Sequence, residues 1–131
     1  MFLFLQFRPQ LSYYFYSSAH NQVFIFAVPP TFETQPQSAV AQEKTEVVFH
    51  CKLSGSPPPA VHWTKDGDPI TPSDYVVETE DQLRIMGLIP SDSGYYQCHA
   101  NNELGSRQAT AQLVVRANGE TSIISIICKA N

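Results

Sequence analysis

Gly94-Tyr95-Tyr96-Gln97-Cys98 closes a pattern that opens upstream with Cys51 and Trp63. Cys51 lies twelve residues before Trp63, and Trp63 lies thirty-five before Cys98. That order and spacing frames an all-β sandwich of two antiparallel sheets. In such a frame a cysteine on one sheet faces a cysteine on the other, and a tryptophan packs against the pair. Tyr96 stands two residues before Cys98, where its hydroxyl reaches back to backbone at the preceding corner. Asp92-Ser93-Gly94 supplies that corner, and glycine suits a tight turn whose backbone angles other residues resist.

Alternation extends the frame in both directions. Val47, Phe49, Cys51 and Leu53 fall on one face, and Val48, His50 and Lys52 on the other, the period of a half-buried strand. Ala60 to Lys65 alternates again, with Val61 and Trp63 inward and His62 outward. Lys65-Asp66-Gly67-Asp68 reads as a turn. A short strand follows over Tyr75 to Glu78, and Leu83, Ile85 and Leu88 face the core from the next. Tyr95 to Ala100 and Gln108 to Val115 flank a loop at 101–105, with Ala111, Leu113 and Val115 inward. Before all of these, Thr31 to Ala41 contains Pro36, which suits a kinked edge strand. Short strands divided by turn signals indicate a sandwich.

The chain has 131 residues, and a sandwich of this kind needs about 100. The expected division is an N-terminal extension over 1–28, the sandwich over 29–116 and a tail over 117–131. Residues 1–28 hold nine of the fifteen aromatic residues, which sets them apart from the rest. Arg8 follows the first apolar run instead of preceding it, and Gln6 breaks that run, against the layout of a signal peptide. An unfolded extension or a translated non-coding stretch is the expectation there. In the tail, Ser122 to Cys128 is β-prone, uncharged and free of proline, an aggregation hazard where exposed. No run of eighteen apolar residues occurs, so the sequence encodes no membrane-spanning helix.

Charge and side-chain chemistry narrow the function. The formal net charge is −4 and the lysines and arginines are scattered, which argues against nucleic acid as a partner. Of three cysteines, Cys51 and Cys98 form the pair and Cys128 is left over, incidental or bridging another chain. A Cys51–Cys98 disulfide implies an oxidising compartment; a reduced, buried pair is the alternative. His62 and His99 fall on neighbouring strands and point outward, but no further ligand converges on them by spacing, so they read as solvated surface. His50 faces outward on the opposite sheet. Ser54 and Ser56 sit outside any strand–turn–helix elbow, Asp66 and Asp68 serve turn chemistry, and no glycine-rich phosphate cradle appears. The reading is therefore no enzyme and no cofactor. No Asn-x-Ser/Thr sequon is present.

These residues resemble the I-set immunoglobulin family. Gly55, Pro57, Pro59, Val61 and Trp63 carry one motif; Asp92, Gly94, Tyr96, Cys98, Ala100, Asn102 and Gly105 carry the other. The 46 residues between the paired cysteines leave little room for the extra strand pair of a variable-type domain. Within the family, the stretch Asp66 to Tyr75, Leu83 to Leu88 and Ala111 to Val115 are similar to the fourth immunoglobulin domain of the netrin receptors, the neogenin, frazzled and DCC group. The resemblance covers about residues 29–116. It implies a core framework of Trp63, Tyr96, Leu83, Asp92 and Gly94 around the Cys51–Cys98 bridge. It further implies an extracellular module of a cell-surface guidance receptor, whose partners are neighbouring receptor domains and extracellular ligands. The other receptor domains are missing from this sequence, so it reads as a fragment or a truncated gene product. Netrin contacts in that group are assigned mainly to fibronectin repeats, so no netrin-contacting residue carries over. The alternative is a structural I-set module of an intracellular muscle protein or of extracellular matrix.

Overall fold

In a computed structural model, residues 14–18 and 21–118 are described. Eleven strands occur in this span: β1 Tyr14–Ser18, β2 Asn21–Thr34, β3 Ala39–Gln42, β4 Val47–His50, β5 Lys52–Ser56, β6 Ala60–Lys65, β7 Asp68–Pro69, β8 Val76–Glu78, β9 Gln82–Ile85, β10 Gly94–Asn102 and β11 Gly105–Arg116. A single 3-10 turn, Pro90–Asp92, precedes β10. The expected period-two segments all appear as strands, because each places apolar side chains on alternate positions facing one core.

The strands form two layers. One is the five-stranded sheet β3-β11-β10-β6-β7. The other is built from β1-β2-β5 and β4-β9-β8, where β4 and β5 are successive parts of one extended segment interrupted at Cys51. Pairing is antiparallel except between β3 and β11, which run parallel with Leu113 opposite Ala39. The exception follows from the kink at Pro36: the chain leaves β2 on one layer and continues in the same direction as β3 on the other. Pro36 is itself buried.

The core lies between the layers. Phe49, Cys51, Trp63, Leu83, Ile85, Leu88, Tyr96, Cys98, Ala111, Leu113 and Val115 are all buried. Each was expected to face inward, and burial of such side chains contributes ~1.5–3 kcal/mol apiece for the larger ones.

Two features differ from expectation. Within the stretch read as an unfolded extension, β1 and the first part of β2 form a hairpin, with Tyr14 opposite Ala27. Val23 to Val28 is an unbroken apolar run, and β-branched and aromatic residues favour extended chain. Pro29-Pro30 does not end β2. The register to β5 skips between Val28 and Thr31, so the two prolines occupy the irregularity where no ladder donor is needed. Second, the loop expected at 101–105 is tighter, because Asn102 pairs with Gly105 across a two-residue turn. Residues 119–131, including Cys128, lie outside the described residues, as do residues 1–13.

Candidate interaction surface

Register brings the framework together. β10 lies between β6 and β11, with Cys98 opposite Trp63 on one side and Ala109 on the other. Cys51 and Cys98 form a disulfide across the two layers, their Cα atoms 6.5 Å apart. Phe49 sits between the large aromatics: its ring centroid is 6.3 Å from that of Trp63 and 5.3 Å from that of Tyr96, within the range of favourable aromatic pairing. The indole Nε1 of Trp63 is buried with no protein acceptor in reach among the described residues.

The corner before β10 is held by three interlocking groups. The Tyr96 hydroxyl donates to the Asp92 carbonyl at 2.7 Å. The Asp92 carboxylate accepts from the Ile89 amide at 2.9 Å. The Asp66 carboxylate accepts from the Tyr95 amide at 2.9 Å, while the Asp66 amide donates to the Tyr95 carbonyl at 2.8 Å. Burial pushes the Tyr96 phenol well above its ordinary pKa, and the negative charges of Asp92 and Asp66 push it further.

Asp66 was expected to serve only its own turn. It does so, since Asp66 and Gly67 have φ of 50° and 89°, the positive pair that a two-residue type I′ hairpin needs. It also reaches across to β10, where its carboxylate crowds Gly94, whose φ of 158° already disfavours a side chain. A Cβ on Gly94 would stand 2.6 Å from an Asp66 carboxylate oxygen. A Cβ here would meet the carboxylate end of a side chain 28 positions earlier in sequence, a contact that local reading does not contain. Asn102, a residue of the family motif, has a role that the sequence does not show. Its amide nitrogen donates to the carbonyls of Val28, at 2.7 Å, and Pro57, at 3.1 Å, while its oxygen accepts from the Leu104 amide at 2.9 Å. It ties the β10–β11 hairpin to β2 and to the loop before β6.

The outer surfaces of the layers differ in chemistry. Ion pairs Lys52–Glu33, at 3.3 Å, and Arg84–Glu46, at 2.7 Å, stand on the layer containing β2, β5, β4 and β9. On the other layer, His62 and His99 are directly opposed. Their rings stack with centroids 5.0 Å apart, and the Thr64 hydroxyl lies 3.1 Å from His99 Nε2. His99 is half-buried, less solvated than expected. A shallow depression opens beside this pair, bordered by Asn101, Arg107 and Gln108. Among the described residues no three His, Cys, Asp or Glu side chains gather as metal ligands. No helix there is long and apolar enough to cross a membrane.

Residues 30–115 match the family described as the immunoglobulin I-set domain. Rat neogenin is 46% identical over 89 residues, and so is the rat netrin receptor DCC; each alignment covers 67% of this chain and 6% of the relative. The chain thus spans a small part of the length of those receptors. Among solved structures, the titin M3 domain superposes with a TM-score of 0.62 at 34% identity, covering 67% of this chain and 97% of that domain.

Proposed function

Because the chain belongs to the immunoglobulin I-set family, we propose that residues 29–116 form a non-catalytic protein-interaction and adhesion module of a cell-surface guidance receptor of the netrin-receptor kind. The observation that carries this reading is the 46% identity to neogenin and DCC over 89 residues. The module acts in the extracellular space. The Cys51–Cys98 disulfide supports that location, since such bridges persist in oxidising compartments. Its partners are neighbouring domains of the same receptor and extracellular protein ligands. It needs no cofactor, because rigid presentation of a folded surface is all that an interaction module contributes.

A second reading, a structural module of a muscle or matrix protein, is favoured by the likeness to titin M3. Sequencing the full transcript separates the two. Fibronectin repeats and a membrane span downstream support the receptor; a kinase or a long series of further I-set repeats overturns it. Alkylation of the protein taken from its own cells adds an independent check. Free thiols at Cys51 and Cys98 would count against an extracellular module.

A further inference from the structure

The sheet β3-β11-β10-β6 turns one face to the core, and its other face carries almost no charge. Val40, Tyr95, Gln97, Thr110, Gln112 and Val114 stand together on that outer face, on strands paired in register. Arg107 and Arg116 stand near its two ends. The outer surface of the other layer carries two ion pairs, although Val77 on β8 is exposed there too. Val40, Tyr95 and Val114 are 60%, 54% and 36% exposed, so apolar surface meets water here. Interface cores are depleted in charged residues and enriched in tyrosine. The polar groups are also partly satisfied within the face. Gln97 donates to the Thr110 hydroxyl at 2.9 Å, and His99 Nε2 has the Thr64 hydroxyl. Removing water from groups already paired leaves fewer orphaned donors and acceptors.

We propose that this face docks weakly against the same face of a second copy of the chain. The charge distribution selects that occupant. The chain carries a net charge of −4, so two copies repel through most of their surfaces. A face with almost no charge avoids like-charge contact, and a two-fold contact sets neutral against neutral. A strongly charged ligand finds nothing here to complement. Size sets the strength. Strands of 4, 12, 9 and 6 residues, at ~3.4 Å per residue and ~4.8 Å spacing, give on the order of 500 Å² per copy. Two copies then bury roughly 1,000 Å², the size of weak and transient interfaces. A weak dimer follows, of the kind that matters when copies are concentrated on one surface. The inference rests on reading the domain as an interaction module.

Sedimentation equilibrium of the full chain over a rising concentration series tests it. Thr110 lies near the middle of the face. Thr110→Glu and Thr110→Lys are each expected to weaken dimerisation at least about ten-fold, because like charges are then apposed in a desolvated contact. His50→Glu, on the other layer, leaves it unchanged. An equimolar mixture of the Glu and Lys variants restores the dimer, which also shows that both variants fold. If exchange at Thr110 unfolds the chain, Gln112→Glu with Gln112→Lys gives the same comparison. A wild-type chain that stays monomeric, variants that dimerise as wild type does, or a mixture that fails to recover would each overturn the proposal. A monomeric chain encoded with fibronectin repeats and a membrane span overturns the dimer alone and leaves the receptor reading standing.

Discussion

Removing the Tyr96 hydroxyl strands the Asp92 carbonyl at a part-buried corner. Tyr96→Phe is expected to cost roughly 1–3 kcal/mol, the penalty for a buried acceptor left unpaired. Tyr95 is its internal control, being 54% exposed on the opposite parity, and Tyr95→Phe should stay within about 0.5 kcal/mol. Denaturant melts of the two variants decide; equal losses would sink the corner's importance. The same phenol makes stability depend on alkaline pH. Its folded-state pKa lies above the unfolded value, which is about 10 for tyrosine. The neutral form is therefore favoured by folding. Its contribution is complete below pH ~10 and is lost as pH rises through the folded value. Melts between pH 9 and pH 12 should show a steeper decline in wild type than in Tyr96→Phe; parallel curves would refute this. Trp63→Ala should cost ~3–5 kcal/mol, a large share of a stability of ~5–15 kcal/mol, and a loss below about 1 kcal/mol would contradict its place in the core. At this scale the sequence was legible where a side chain's role depends on its own strand parity. Tyr96, Trp63 and Leu83 are such cases. Asp66 and Asn102 were not legible, because their hydrogen bonds go to backbone brought near only by the finished sandwich.

Between elements, the coupling of the β6–β7 turn to the start of β10 can be measured. Gly94→Ala forces a Cβ against the Asp66 carboxylate. Steric crowding of this kind costs ~1–3 kcal/mol. Asp66→Ala alone removes the acceptor for the Tyr95 amide and should cost a similar amount. The double variant should lose clearly less than the sum, since the clash vanishes with the carboxylate. Neighbours that share a contact depart from additivity by about 0.5–3 kcal/mol. Strict additivity in denaturant melts would mean the two residues do not touch. Strands were read in the right order because alternation survives in each. Their ends were not. β2 runs on through Pro29-Pro30 because the prolines fall in a register skip, and a register exists only once β5 is beside them. The parallel β3–β11 pairing escaped for a related reason: a kink at Pro36 marks a bend but not which sheet the chain joins afterwards.

For the whole molecule, the boundaries decide what folds alone. The hydrophobic core cluster lies within residues 49–115 and the further buried Pro30 and Pro36 within 27–118, so a span of 27–118 should keep the full thermal midpoint after the remaining residues are removed. A shorter span of 29–116 should not be equivalent. It deletes the Val28 carbonyl that accepts from Asn102 and the Asn118 amide that donates to Glu43. The first of these is part-buried, and its loss should cost about 1 kcal/mol. In a domain of this size that lowers the midpoint by roughly 4–8 °C. Asn102→Ala in the longer span removes the same bond and should lower the midpoint at least as far, since it also frees Pro57 and Leu104. Calorimetry on the three proteins tests the order. If instead the 27–118 span loses its cooperative transition, the hairpin of β1 with β2 is part of the folding unit, and the sandwich begins earlier than its buried side chains do.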